Sequence, residues 1–181
     1  VSQDNFKVLQ GRTLHVKFQV NKEIEKACVK ALACNYDCFQ EQPASSVYEC
    51  YIPISCEEKP QEYLFSVEVI DRIGNKVALD NKFKIIGCEF KKQVIAVEAA
   101  KLQEEKEKGR ALAELEEQLE ILAKKSPDEK LWRGSFCTPI EIDRVTCEYG
   151  TIRTTQERGR YAHKALDVIN KPKSVVWATQ N

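Results

Sequence analysis

The chain has 181 residues, enough for one large domain or two small ones. Its 28 basic and 28 acidic residues cancel, so it lacks the net cationic source that nucleic acid or an anionic membrane surface would attract. With 43% apolar residues it can build a core; disordered and collagen-like compositions are excluded, and no run approaches the roughly 18 apolar residues of a membrane helix.

No methionine occurs, so the natural start is expected to lie outside this sequence, together with any signal peptide. Cysteines stand at 28, 34, 38, 50, 56, 88, 137 and 147, an even set that suits an oxidising compartment but permits too many pairings for sequence to choose among. No Cys-x-x-Cys spacing is present, which removes the usual zinc-knuckle and thioredoxin patterns. Cys34 with Cys38 and Cys137 with Cys147 are the first pairs to examine; reduced, buried thiols acting as small apolar side chains are the alternative.

Residues 1–90 read as β. Leu14, Val16, Phe18 and Val20 alternate with His15, Lys17 and Gln19, the period of a half-buried strand. Val47 to Ile52 and Tyr63 to Ile70 carry strand patterns of the same kind, and Asp71-Arg-Ile-Gly-Asn75 reads as a hairpin turn into a strand over 76–86. Short strands separated by turn signals predict a small sandwich of immunoglobulin-like type.

Residues 91–130 read as a helical connector. A charged stretch from Lys101 to Lys108 leads to Leu112, Leu115, Leu119 and Leu122, whose spacing places them on one helical face, and Ser126-Pro127 ends the helix. The stripe is too short for a coiled coil, so it is expected to pack on neighbouring domains, with self-association as the alternative.

Residues 131–181 return to β patterning, from Leu131 to Pro139, through Val145 to Gly150 and Ala162 to Ile169, to a last strand at 174–178. The predicted fold class is therefore mainly β with one long helix: an immunoglobulin-like sandwich, a helical connector, then a partial β-sheet domain.

His163 and Asp167 are the candidate metal ligands. Val168, Ile169 and Pro172 argue against a helix between them, and on a straight strand four residues span about 13 Å, too far for two ligands of one ion. The chain must therefore bend, and the small Ala165 allows it. The other histidine, His15, falls on the polar face of a strand and is expected to be solvated. Arg153 is a candidate for meeting an anionic part of a substrate, with an ordinary ion pair as the alternative. Cys137 or Cys147 with His163 as base would make a thiol hydrolase, but no spacing supports it. Trp132 and Trp177 are read as buried anchors rather than sugar platforms.

The order Trp132-x-Gly134-x-Phe136-x-x-Pro139, Tyr149-Gly150-x-x-Arg153, a polar loop, and His163-x-x-x-Asp167 resembles the start of the lysostaphin-type zinc peptidase domain. Members with an N-terminal β-sandwich and a helical connector resemble the whole layout. The resemblance implies that residues 131–181 are the N-terminal part of a zinc peptidase domain. It implies zinc held by His163, Asp167 and the second histidine of a later His-x-His, with a further histidine as general base. It also implies peptidoglycan cross-links as substrate, cut as an endopeptidase, in the periplasm or at the cell surface. Two departures stand out. Ala165 replaces the family's usual glycine, which predicts strain if the backbone is left-handed there. No His-x-His occurs in these residues, so the chain is expected to hold no stable zinc and to have no peptidase activity, its catalytic domain being incomplete. Unpaired strand edges among the last fifty residues are then expected to be disordered, swapped or covered by a partner chain. The competing readings are a non-catalytic module that positions a cell-wall hydrolase, and a structural or adhesive sandwich whose C-terminal match is accidental.

Overall fold

Period-two alternation decides which side chains of the longer sandwich strands enter the core. Leu14 and Val16 of β2 (Thr13–Gln19) are buried while Thr13, His15 and Lys17 face out. β6 (Val47–Pro53) pairs antiparallel with β2, placing Ile52 opposite Leu14 and Cys50 opposite Val16. The short β5 (Phe39–Gln40) completes this sheet. The facing sheet has the order β1 (Lys7–Leu9), β8 (Lys76–Ile86), β7 (Glu62–Asp71), β3 (Ile24–Ala31), β4 (Cys34–Asp37). Only the β1–β8 pair is parallel in it.

Two sheets with this strand order form an immunoglobulin-type sandwich, without a disulfide between its layers. Val29, Cys50, Ile52, Phe83 and Ile85 are almost fully buried between the layers. Phe65 meets Phe83 and Phe6 edge-on at centroid distances of 6.1 and 5.2 Å. The expected hairpin is present: Asp71 N–H donates to Asn75 O, Gly74 adopts φ +86°, and β8 starts at Lys76. The β3–β4 hairpin turns on Leu32 and Ala33 at φ 50° and 60°, left-handed positions usually filled by Asn or Gly. Leu32 accepts this conformation because its side chain packs against the core.

The structure, a computed structural model, describes residues 6–96, 113–126, 129–156 and 159–180, and among these it is mainly β with one helix. The helix, α1, covers 113–125. Leu112, Gly109 and the charged stretch from Lys101 to Lys108 lie outside the described residues. Two expectations for the connector are corrected. Lys92–Ile95, at its start, form strand β9 instead of helix, because they add in parallel to β11 (Ile152–Thr155). Among the described residues nothing covers the leucine stripe: Leu115, Leu119 and Leu122 are 49%, 56% and 61% exposed.

The C-terminal strands make two small sheets, β12 (Gly159–Ala162) with β11 and β9, and β10 (Arg144–Cys147) with β13 (Asp167–Ile169). β9 thus supplies an edge partner that was expected to be missing. The stretch 174–178 is not a strand, although Trp177 N–H donates to Pro139 O. Trp132 and Lys130 cover the outer face of the β2–β6–β5 sheet. Trp132 meets Tyr51 and Phe39 edge-on at 5.7 and 6.3 Å, and Lys130 Nζ lies 2.9 Å from the buried Glu49. Trp132 therefore serves as an anchor, whereas Trp177 is 54% exposed and does not.

Candidate metal centre

β11 and β12 run antiparallel from Thr155↔Gly159 to Ile152↔Ala162. Beyond the last pair, His163 N–H donates to Thr151 O at 2.9 Å and Gly150 N–H donates to His163 O at 2.7 Å. These two bonds hold His163 at the end of the ladder. The chain then bends at Ala165 and enters β13 at Asp167. That bend brings His163 Nε2 to 3.2 Å from Asp167 Oδ1. Ala165 is not among the residues with positive φ, so alanine sits at the bend without the strain its replacement of glycine predicted.

Arg153 projects from β11 onto the same pair. Its Nη1 lies 3.0 Å from His163 Nδ1, and its Nη2 donates to Asp167 Oδ2 at 3.1 Å. A guanidinium can only donate, so Nδ1 accepts and the neutral ring carries its proton on Nε2. Among the described residues Nε2 is buried without a hydrogen-bond partner; Asp167 Oδ1 is near but poorly placed to accept. Arg153 thus spans two would-be ligands through an ion pair, the alternative to a substrate contact.

The fold adds a third donor that residue spacing did not reveal. Cys147 ends β10 directly across the ladder from Asp167. A register shift between Val145 and Cys147 turns the strand, so Val145 is 44% exposed while Cys147 is 6% exposed. Donor atoms of Cys147, His163 and Asp167 all lie within 4.8 Å of one another. Thiolate, imidazole and carboxylate together suit a zinc ion, and the unpartnered Nε2 is the atom such an ion would engage. The sequence held no sign of this beyond the cysteine itself. The signal lies in a cross-strand register, and a pairing of Cys147 with Cys137 was an equally open choice.

The remaining candidates lie elsewhere. All eight cysteines are free thiols, so neither Cys34 with Cys38 nor Cys137 with Cys147 is joined; Cys137 is exposed, its thiol directed at Thr179 O at 3.3 Å. Burial and a hydrogen bond to Cys50 push the Cys38 thiol up, the hydrogen bond contributing most. His15 stacks on Tyr51 at 4.8 Å and lies 3.9 Å from Glu49, within the sandwich and not at the centre. Cys147 and His163 do come together, as a thiol hydrolase would need. In a nucleophile–base pair, however, an acceptor orients Nδ1–H, and here a donor occupies that side.

Contacts with the sandwich fix the centre's surroundings. Gly150, at φ +84°, lies under the Phe90 ring so closely that a Cβ would overlap it. Tyr149 lies over Gly11, and Lys164 pairs with Glu57. No protein-family model matches the chain and no curated protein does, so the chemistry of Cys147, His163 and Asp167 is what supports a functional reading.

Proposed function

We propose that this chain is part of an extracytoplasmic zinc endopeptidase of lysostaphin type, hydrolysing peptide cross-links of peptidoglycan. The observation that carries it is the bend that sets His163 Nε2 and Asp167 Oδ1 3.2 Å apart with Nε2 buried and unpartnered. The motif order from Trp132 to Asp167 supports the same family. A zinc ion in such a site supplies Lewis acidity to a scissile carbonyl and to an attacking water. The chain's own part is to hold the ligands: the β11–β12 ladder positions His163, the bend positions Asp167, and Arg153 Nη2 holds the Asp167 carboxylate.

A second reading, a non-catalytic module that positions a cell-wall hydrolase, is favoured by one observation. The other histidine of this sequence, His15, belongs to the sandwich, so no second imidazole stands beside His163 as base. Zinc stoichiometry and release of cross-link peptides from purified peptidoglycan by the full-length protein separate the two. Cleavage that His163→Ala abolishes supports the peptidase. Zinc bound without cleavage supports the module, and absence of zinc sinks both versions of the metal site.

A further inference from the structure

We infer that Cys147 is itself a metal ligand, so that this chain holds a Cys/His/Asp centre from its own residues, selective for a thiophilic divalent cation such as zinc. The inference rests on the reading of His163 and Asp167 as ligands and extends it to a residue outside that motif. Three observations bear on it. Cys147 faces Asp167 across the β10–β13 ladder, where directly opposed side chains are neighbours. The register shift at Val145/Cys147 turns the thiol inward. Among the described residues its sulfur makes a weak 3.8 Å hydrogen bond to Glu148 O, a partner easily given up.

The chemistry balances simply. On binding, Cys147 releases its thiol proton to water and its sulfur donates a lone pair to the ion; His163 stays neutral, its ring proton passing from Nε2 to Nδ1 as Arg153 Nη1 gives up that nitrogen while Nη2 keeps Asp167. With thiolate and carboxylate both ligating, a divalent ion is charge-neutralised. Thiolate also disfavours magnesium and calcium, which prefer oxygen donors alone. Three protein donors leave a fourth position open, the pattern of a catalytic rather than a structural zinc site.

Cobalt(II) titration of the metal-free protein tests this, because a thiolate ligand produces a sulfur-to-cobalt charge-transfer band that nitrogen and oxygen donors do not. The expected result is one bound cobalt with that band, lost in Cys147→Ala and kept in Cys137→Ala. Zinc affinity should fall about a hundredfold or more in Cys147→Ala, since loss of even an outer-shell partner costs roughly ten- to a hundredfold. Thermal melts of the metal-free variants check folding, and Cys147→Ser replaces the alanine variant if it does not fold. Stoichiometric cobalt without the band, or a band retained in the Cys147 variants, overturns the inference while leaving His163 and Asp167 as ligands. Failure of the wild-type protein to bind metal, or binding unchanged in His163→Ala and Asp167→Ala, overturns the underlying reading instead.

Discussion

Gly150 is a position where one methyl group has a large effect. Its φ of +84° is left-handed, and the Phe90 ring occupies the space a Cβ would take. Strain at such a φ and overpacking each cost about 1–3 kcal/mol, so Gly150→Ala should destabilise the protein by about 2–6 kcal/mol in denaturant titration. Because Gly150 N–H also holds His163 O, the same variant should weaken zinc binding. A melt and a titration indistinguishable from wild type would refute both statements. Asp71 is informative in a different way. Lys22, first of all, and then the side chain and backbone of Asn75 hold its carboxyl well below the usual range. A depressed carboxylate contributes stability that is complete above the unfolded group's value of about 4 and is lost as pH falls below it. Asp71→Asn should therefore lower Tm at neutral pH, with a deficit that narrows as pH drops below about 4. A constant deficit across that window would contradict the assignment.

Among the elements, amphipathic periodicity separated cleanly into strands where it governs burial and a helix where it does not. The alternation in β2 and β6 is backed by a second sheet, and Phe83 of β8 is 1% exposed. Phe83→Ala should cost about 3–5 kcal/mol. The leucines of α1 carry an equally regular pattern, yet no described element covers them. Leu119→Ala should change stability by less than about 0.5 kcal/mol, and equilibrium unfolding of the two variants side by side measures the contrast. Periodicity places side chains on one face of an element; whether that face meets anything depends on the rest of the chain. For the same reason the connector's local pattern gives no sign of β9. Lys92–Ile95 has no strong local preference, and pairing with β11, about sixty residues later, settles its conformation.

At the level of the whole molecule, zinc binding and folding should be linked, since the proposed ligands converge only when β10, β11 and β13 are in place. At a zinc concentration a hundredfold above Kd, the ion should add about 2.7 kcal/mol to the unfolding free energy. Tm should rise accordingly, return to its starting value with a chelator, and stay unmoved by zinc in His163→Ala. A wild-type Tm insensitive to zinc would remove the coupling.

Local pattern was sufficient for β2, β6, β7 and β8 of the sandwich, for the Asp71–Asn75 turn, and for the requirement that His163 and Asp167 be joined by a bend. Each depends on residues close in sequence, where alternation, turn chemistry and rise per residue act directly. The inward turn of Cys147, the unpartnered Nε2 and the clasp of Arg153 on both candidate ligands were not legible there. They arise from a one-residue register shift between β10 and β13 and from a ladder that ends at Ala162. Register is a property of strand pairs, and a single step of it moves a side chain to the opposite face. Composition and spacing could therefore propose two ligands; bringing a third donor within 4.8 Å of them was the work of long-range pairing.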